Sequence, residues 1–593
     1  MAALFTTPRR NDTTAGTHVA EPDVRRRIGL AHGSWRRVTR RIVAGAVCAL
    51  TVSSLLKPSV SLAAEWVKVG GNKYNTAASD EAGTWSWDGA DDLKLNNYNG
   101  GEIQAAGKPN VNYSGTNIVT AEWIESIKVS HGTNENAELN IQGDEGGTLS
   151  VTSTEDAILS TGNINIDGAG SVNATSTGFD AINAGGDLAI KGSGNVNATG
   201  ASDGIRANGN ITIDDSGAVT ARATKDKGIG ADKNLTIKGG GTVEASSADG
   251  EALWSGGNIN ISDGSQVKAS SEKDAAVDTE GSLAVTNASL DASGVEYGVY
   301  AYKGVTLDHA TVTVRTSANG GQAIALITDG DDIVIKNGST VDAFAEGEVS
   351  AAFSTRNDRP NEKGGHIYIS DSVVKAIARY VENGDGPIPY SENQDGETRR
   401  EPQGENIGII AQTSEGVTPA VISIIRSKVT AEGDTAAIFA RAMSADGKTI
   451  GTIKIENAAI QTPEGGKVID YRKLRDGIYE AGQAIGTGDA TVDSLYIKAV
   501  AKSTTIAPPE VAKPEDPKPD ETKPAESKPA ESKQNPKPEG SKPTKAVAAS
   551  TTKAKTTGVL AATGDTSGAA IVATVLAGTA AIAAGTMASR KHS

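Results

Sequence analysis

An internal repeat with a period of about 24 residues restricts the fold of this chain more than any other feature. Six unit starts align at a nearly constant spacing: Asn163, Asp187, Asn210, Asn234, Asn258 and Ser282. A fixed period of this length is typical of stacked units, because a single unit cannot bury its apolar face alone. The repeat therefore predicts a solenoid.

Each unit contains three short blocks in which apolar residues alternate with other residues. The first block opens the unit, as Ile211 and Ile213 do; a Val and Ala pair such as Val219 and Ala221 follows; a third pair ends the unit. Period-2 alternation between turn residues indicates strands. The sequence predicts an all-β, single-stranded parallel β-helix of about 24 residues per rung. Asn and Asp at the unit starts are expected to form a ladder from rung to rung.

Two other repeat folds share parts of this pattern. Leucine-rich repeats have a similar period, but their Leu-x-x-Leu-x-Leu-x-x-Asn signature is missing and no block reads as a helix. Calcium-binding nonapeptide rolls need Gly-Gly-x-Gly-x-Asp in close succession, which is missing too. We therefore expect the β-helix.

Weaker copies of the pattern extend the predicted β-helix over residues 127–505, with the last rung at Leu495 and Ile497. End rungs of solenoids need caps. Residues 65–126 are predicted to form the N-terminal cap, and they contain four tryptophans expected to build its core: Trp66, Trp85, Trp87 and Trp123. Residues 356–365 and 381–405 interrupt the period. Such insertions lie on one face of a solenoid, often the binding face, and the second contains Tyr390, Arg399 and Arg400. The alternative is that both insertions are loose decoration without a binding role.

The composition changes after residue 505. Ten of the 20 prolines lie between Pro508 and Pro543, and Lys-Pro recurs there. A segment rich in Pro, Lys and Glu cannot pack a core and is expected to be extended. Residues 506–559 are predicted to be a disordered linker that spans a cell wall.

The C-terminal segment, residues 560–593, has three parts in a fixed order. Leu560, Ala561, Ala562, Thr563 and Gly564 precede an apolar run over residues 569–588 and a basic end with Arg590 and Lys591. A run of about 20 apolar residues can cross a bilayer as a helix, and the basic end is expected in the cytoplasm. A plain tail anchor is the alternative reading.

This segment resembles the sorting signal of sortase-anchored surface proteins of Gram-positive bacteria, in a Leu-Ala-x-Thr-Gly variant. The resemblance implies that sortase cleaves between Thr563 and Gly564 and links Thr563 to peptidoglycan. Sortase and peptidoglycan are therefore the expected partners. Ala561 stands where the usual pattern has Pro, which leaves the sortase class open.

Residues 1–64 have the pattern of a secretory signal peptide. Basic residues up to Arg41 precede an apolar stretch, residues 42–56, and small residues follow. Cleavage is expected after Ala63 or Ala64. Because of Arg40 and Arg41, export by the twin-arginine pathway is an alternative to export by the general secretory pathway. Both ends together predict a secreted protein on the outer cell surface.

Charge and cysteine content narrow the function. Residues 65–563 contain no cysteine, and 45 Lys and Arg stand against 69 Asp and Glu. Stability must come from packing rather than from disulfides. A strong negative charge argues against nucleic acid as a partner. No cofactor is predicted apart from calcium, for which turn aspartates such as Asp203 are weak candidates.

Three further stretches resemble known β-helix proteins. Trp85-Ser-Trp-Asp and the segment from Leu93 to Gly101 are similar to the opening of many Gram-positive β-helix surface proteins. Ser202-Asp-Gly-Ile-Arg-Ala is similar to a clostridial β-helix family that binds acidic plant polysaccharide with calcium. The resemblance covers roughly 200 residues and implies a right-handed parallel β-helix that binds carbohydrate.

No catalytic residues are predicted. His131, His309 and His366 are isolated, and none lies in a Gly-His-Gly context. Paired carboxylates across a cleft, as glycosidases need, cannot be assigned from the sequence.

A binding face is predicted on the third strand of the units, where Arg206, Trp254, Asp278 and Tyr300 alternate outward with the apolar residues. Trp254 and Tyr300 stand two rungs apart, roughly 10 Å, and could stack two sugar rings. The other reading is that Trp254 packs locally. The predicted function is a non-catalytic, wall-anchored glycan-binding or adhesin rod; the alternatives are a polysaccharide lyase or hydrolase and a spacer without ligand.

Overall fold

A computed structural model describes residues 64–509 apart from 123, 131–136, 216, 319–320, 358–363, 382–390, 393–397, 400–404, 415, 446, 476–477 and 489–499. These residues belong to one of the two units into which the chain divides, residues 1–512. The predicted signal peptide up to Ala63, the predicted linker from residue 510 onward and the whole sorting signal lie outside the described residues. Ile506 and Ala507, predicted as the start of the linker, instead belong to the strand Ser503–Ala507, because Ile506 packs in the core. Within the described residues, no helix is long and apolar enough to span a membrane.

The described residues are all-β and form three large sheets, whose strands follow each other in turn along the chain. Sheet 1 contains, in spatial order, Ala78–Ser79, Trp85–Trp87, Asp92–Asn96, Asn110–Ser114, Glu138–Gly143, Asn163–Gly168, Leu188–Lys191, Ile211–Asp214, Leu235–Lys238, Ile259–Ser262, Ser282–Thr286, Gly304–Asp308, Ile333–Lys336, Ile367–Ser370, Val421–Ile425 and Thr452–Glu456. Sheet 2 contains Asn99–Gly100, Thr116–Ala121, Thr148–Ser153, Ser171–Ser176, Val196–Gly200, Ala218–Ala223, Thr242–Ser247, Gln266–Ser271, Ser289–Gly294, Thr311–Ser317, Thr340–Gly347, Val373–Tyr380, Lys428–Gly433, Ser503–Ala507 and Ala459–Thr462.

Sheet 3 contains the strands that end each repeat, together with antiparallel strands at both ends. In pairing order they are Asn72–Tyr74, Trp66–Val69, Ile103–Ala106, Ile127–Ser130, Ile158–Ser160, Ile182–Ala184, Ile205–Ala207, Ile229–Ala231, Leu253–Ser255, Val277–Thr279, Tyr297–Ala301, Gln322–Asp329, Val349–Asn357, Asn406–Thr413, Ala436–Ser444, Ile478–Gly486 and Lys467–Arg475. Ser391–Glu392 and Thr398–Arg399 form a separate antiparallel pair.

Parallel pairing in the body follows the period of the sequence. In sheet 3, Ile158 pairs with Ile182, Ile182 with Ile205, and Ile205 with Ile229. The middle step is one residue shorter than the other two, as in the alignment of unit starts. The shorter repeat has one residue fewer in the turn between sheets 2 and 3, so the strands on either side of this turn keep their register. The predicted all-β solenoid is confirmed: its architecture is parallel β-helix-like, with three strands per repeat.

The core consists of columns of inward side chains that run through successive repeats. Ile213, Ile237 and Ile261 are aligned in sheet 1, and each is about 1% exposed. Outward residues between them, such as Thr212 and Thr236, are half-buried. Because side chains on a strand alternate between its two faces, this burial confirms the predicted inward and outward assignment.

The unit starts form the predicted ladder, although most of its bonds end on the backbone. The side-chain oxygen at each unit start accepts a hydrogen bond from the backbone N–H of the next unit start. Asn163 Oδ1 accepts from Asp187 at 2.9 Å, Asp187 Oδ1 from Asn210 at 2.7 Å, and Asn234 Oδ1 from Asn258 at 2.9 Å. Each bond ties two rungs together at the edge of sheet 1, where the chain enters the strand.

Antiparallel strands occur at both ends of the solenoid. Trp66–Val69 pairs antiparallel with Ile103–Ala106, and Trp85–Trp87 pairs antiparallel with Asp92–Asn96. Parallel stacking starts with Asp92–Asn96 on Asn110–Ser114, inside the segment predicted as a cap. Trp85 and Trp87 are buried in the core. Trp66, predicted to join them, is only half-buried, and the ammonium group of Lys73 lies 4.3 Å from the centroid of its ring. Trp123 lies outside the described residues.

At the C-terminal end, Ile478–Gly486 pairs antiparallel with Ala436–Ser444, and the predicted rung at Leu495 and Ile497 lies outside the described residues. Ser503–Ala507 returns to sheet 2 and runs antiparallel between Lys428–Gly433 and Ala459–Thr462. The chain therefore leaves this region from a strand that has a neighbour on each side.

The strands of sheet 3 are more deeply buried in the second half of the sheet than in the first. From Gln322–Asp329 onward its strands are buried on both faces. Ile324, Ile327, Ile410 and Phe439 belong to a second apolar cluster, separate from the axial core. A continuous apolar run such as residues 323–327 replaces the alternation of the earlier repeats, which is the pattern of a strand covered on both sides.

Candidate functional site

The predicted binding residues share one column on the outer face of sheet 3. Arg206 pairs with Gly230, Gly230 with Trp254, Trp254 with Asp278, and Asp278 with Tyr300. Neighbouring strands lie about 4.8 Å apart, so Trp254 and Tyr300 are separated by roughly two such steps. The structure thus places Trp254, Asp278 and Tyr300 on three successive rungs.

Both aromatic rings of this column are held by neighbours and are half-buried. The ammonium group of Lys227 lies 5.3 Å from the centroid of the Trp254 ring, a cation–π contact. Tyr300 packs at 5.4 Å against Tyr297, and its hydroxyl donates to Asp329 Oδ2 at 3.3 Å. The rings are therefore ordered before a ligand arrives, but each has a face that is already partly covered.

Arg206 is engaged with carboxylates rather than free to reach a ligand. Its Nη2 lies 2.7 Å from Asp232 Oδ1, and its Nη1 lies 3.5 Å from Asp203 Oδ2. Lys227 stands two residues before the strand Ile229–Ala231, and its side chain passes over Gly230. A Cβ atom added at Gly230 would lie 2.9 Å from Lys227 Cδ. Gly230 therefore leaves room for the Lys227 side chain to reach Trp254.

A row of buried carboxylates, here called the carboxylate column, lies beside this face. Asp156, Asp180 and Asp203 each stand two residues before a strand of sheet 3, on successive rungs. Asp156 Oδ1 accepts from the Asp180 N–H at 3.0 Å, Asp180 Oδ1 from Asp203 at 2.9 Å, and Asp203 Oδ1 from Lys227 at 2.6 Å. The next rungs place Lys227 and Glu251 at the same position.

Burial makes the negative form of these carboxyls costly. Desolvation raises the pKa of Asp156 to about 6 and, with the nearby Asp226 charge, raises the pKa of Asp203 to about 7. Burial also raises the pKa of Asp180 and of Glu251. The sequence analysis missed this column, although Asp recurs two residues before the third apolar pair at 156, 180 and 203.

The structure places Asp203, the calcium candidate, at a buried and hydrogen-bonded position. The residue is 2% exposed, and its carboxylate accepts from the Lys227 N–H and lies 3.5 Å from Arg206 Nη1. In the part of the chain that the structure describes, no group of three or more His, Cys, Asp or Glu residues is placed to hold a metal ion.

The histidines remain apart in the structure. His309 lies at an exposed turn with its Nδ1 2.8 Å from Asp308 Oδ1. His366 is buried, and its Nδ1 accepts a hydrogen bond from the Val421 N–H at 3.1 Å. His131 lies outside the described residues. Neither described histidine is paired with a nucleophile.

The two insertions leave the solenoid beside the same sheet. Residues 358–363 follow Val349–Asn357 of sheet 3, and residues 382–404 precede Asn406–Thr413 of sheet 3. Most of both insertions, with Tyr390 and Arg400, lies outside the described residues; for Arg399 only the strand position is described. Their described ends therefore lie at the edges of sheet 3, in rungs that follow those of the predicted binding column.

No family model, no curated protein and no solved structure matches this chain. The described residues define a repeat protein of parallel β-helix-like architecture.

Proposed function

We propose that this chain is a secreted, cell-wall-anchored surface rod that binds a glycan on the outer face of sheet 3. The proposed glycan binding rests on the column of Trp254, Asp278 and Tyr300 on successive rungs. Aromatic rings present flat apolar faces with polar edges, and sugar rings have the same mixed character. Asp278 between them offers acceptors for sugar hydroxyls.

The geometry of the column supports stacking of a chain along the solenoid rather than capture of one small molecule. Two half-buried rings, two strand spacings apart, face outward from a rigid sheet. Because Lys227 and Asp329 hold the rings in place, less side-chain entropy is lost on binding. Contacts repeated along the axis add up only for a ligand that is itself a polymer.

The anchoring part rests on the order of the sequence signals at the C terminus, outside the described residues. A Leu-Ala-Ala-Thr-Gly motif, an apolar run and a basic end suit sortase cleavage after Thr563 and covalent attachment to peptidoglycan. The apolar run, residues 569–588, would hold the chain in the membrane only until cleavage. The signal peptide, with cleavage at Ala63 or Ala64, suits export to the same surface.

Replacing Thr563 with Ala is expected to move the protein from the cell-wall fraction to the membrane and the medium, because the carbonyl that sortase attacks is no longer presented in its motif. Fractionation of cells that express the full chain measures this. Ala562→Ser, at the variable position of the motif, is the matched control and should leave anchoring unchanged. Wall retention of the Thr563→Ala protein that still needs lysozyme for release would contradict the proposal.

Replacing Trp254 with Ala is expected to weaken glycan retention by about 1–2 kcal/mol, or roughly 5- to 30-fold in Kd. The lost ring removes one of two stacking surfaces. Retention of the full chain on immobilised plant and host glycans measures the effect, together with the melting temperature. Phe179→Ala is the matched control, because Phe179 is an aromatic residue, 51% exposed, in the turn before a strand of sheet 3 that lies three rungs from Trp254.

A drop in stability without a change in retention would show that Trp254 serves packing against Lys227, and the spacer function would then be favoured. The same incubations with glycans also test the alternative that the chain is a polysaccharide hydrolase or lyase. Release of new reducing ends or unsaturated ends from a retained glycan would favour a hydrolase or lyase over a non-catalytic binder.

A further inference from the structure

A second face of the solenoid, the outer side of sheet 1, carries an open groove that neither the aromatic column nor the sorting signal explains. It consists of two adjoining depressions of about 510 Å³ and 550 Å³, which share Ala189 and Lys191. The groove, here called the amide groove, is lined mainly by amide and hydroxyl side chains: Asn110, Asn140, Asn165, Asn210, Asn234, Asn258, Asn260, Thr212 and Thr236.

The groove arises from a difference in side-chain length between three outward columns of sheet 1. Its floor in the middle repeats is made by Ala189, Thr212 and Thr236, which pair in register and are short. One wall is the ladder of unit starts. Gln142, Asp167 and Lys191, near the other end of their strands, make the second wall. Short residues between two longer rows leave a channel along the stacking direction.

The amide groups of the groove are fixed by bonds between rungs. Asn140 Nδ2 donates to Asn110 Oδ1 at 3.0 Å, and Asn165 Nδ2 donates to Asn140 Oδ1 at 2.8 Å. In the other depression, Asn234 Nδ2 donates to Asn210 Oδ1 at 3.1 Å. A preorganised row of donors and acceptors loses little entropy when a ligand replaces water, and its spacing repeats with the strands.

The charges that line the groove are mainly negative, as in the chain as a whole, whose formal net charge is −16. Asp92, Asp167 and Asp187 line the two depressions together with the cation Lys191. An anionic polymer is therefore repelled both in the groove and by the rest of the surface. The other polar groups of the lining are uncharged amides and hydroxyls, which suit hydrogen bonds to a neutral ligand.

We propose that the amide groove binds a neutral, polyhydroxylated polymer, a linear polysaccharide without charged groups, lying along the stack of rungs. Hydroxyl groups both donate and accept hydrogen bonds, as amides and threonines do, so such a chain can pair with every rung. A polypeptide fits less well, because the strands that floor the groove already pair on both sides in sheet 1 and offer no free edge. This site lies on a different sheet from Trp254 and does not depend on the site proposed there.

The test uses the purified full chain in native gels that contain galactomannan as the neutral probe or polygalacturonate as the anionic probe. Thr212→Val with Thr236→Val removes two hydroxyls from the floor while keeping the shape and the strand preference of the side chains. Galactomannan is expected to retard the natural chain, and the double variant should need at least about fivefold more galactomannan for half-retardation. Polygalacturonate should act on both chains alike.

The matched control is Thr199→Val with Thr220→Val, two outward threonines of sheet 2 on neighbouring rungs, which should leave retardation unchanged. Ala189→Gln is a second variant, which fills the floor without adding charge and should reduce galactomannan binding as well. Circular dichroism melting curves establish that each variant is folded.

Three results would overturn the proposal. These are no retardation of the natural chain by galactomannan, equal retardation of the natural chain and the folded groove variants, or equal loss in the sheet 2 control. If Trp254→Ala abolishes galactomannan binding while the groove variants keep it, the amide groove is refuted and the sheet 3 site stands. The reverse pattern would refute the sheet 3 site for this probe and support the groove.

Discussion

Replacing Ile237 with Ala is expected to lower the free energy of unfolding by about 2–5 kcal/mol, the usual cost of a large-to-small change in a packed core. Ile237 is about 1% exposed and lies in sheet 1 between Ile213 and Ile261 of the neighbouring rungs. A cavity at this position loosens two rung interfaces at once, because each repeat packs only on its neighbours. Denaturant unfolding of the full chain, followed by circular dichroism, measures the change.

The control for this variant is the adjacent residue. Thr236 points outward, and Thr236→Ala should cost well under about 1 kcal/mol. Similar costs at residues 236 and 237 would contradict the alternation of inward and outward side chains in sheet 1. A much smaller cost at Ile237 would mean that the core can collapse around the missing side chain.

Replacing Asp203 with Asn is expected to stabilise the protein above neutral pH and to flatten its pH dependence. The folded pKa of Asp203, about 7, lies above its ordinary value of 3.8. Between these two values the folded state holds a proton that the unfolded state has released. Stability therefore falls as the pH rises through this window. Asn keeps an oxygen for the Lys227 N–H and has no proton to lose.

Burial is the main cause of the raised pKa of Asp203. The charges of Asp226 and Asp180 raise this pKa further, whereas the hydrogen bond from the Lys227 N–H and the charge of Lys227 lower it. We expect a gain on the order of 2 kcal/mol at pH 8 and almost none at pH 3.5, where the carboxyl is protonated in the folded state and largely protonated in the unfolded state.

Denaturation midpoints across this pH range measure the effect of Asp203→Asn. Asp187→Asn is the matched control, because Asp187 accepts the same kind of rung-to-rung bond at an exposed position. A stability gain that does not change with pH would contradict the role of the Asp203 proton.

The repeat alone was enough to predict which residues of the regular rungs face the core. Ile213, Ile237 and Ile261 follow from period-2 alternation and a constant spacing, since both properties are local to the chain. The same alignment predicted that Trp254 and Tyr300 would share a column. It could not predict that Lys227 would lie on the Trp254 ring, because that contact needs a side chain from a turn to cross the neighbouring Gly230.

The features that were not predicted from the sequence depend on contacts between residues of different chemical types. The carboxylate column was visible as a spacing of aspartates, but aspartates before strands usually indicate turns. Only the burial of Asp156 and Asp203 shows that their charges are costly. Likewise, the second apolar cluster at Ile324 and Ile410 breaks the alternation on which the core prediction depended.

The strand Ser503–Ala507 has a mechanical consequence for a protein tethered as proposed. Any pull from the wall reaches the solenoid through this strand, which is hydrogen-bonded to Lys428–Gly433 on one side and to Ala459–Thr462 on the other. An edge strand can be peeled away one bond at a time. A strand held on both sides must slide past two neighbours together, so many bonds share the load. Under fluid shear, the attachment point of the solenoid is therefore expected to withstand tension better than an edge strand would.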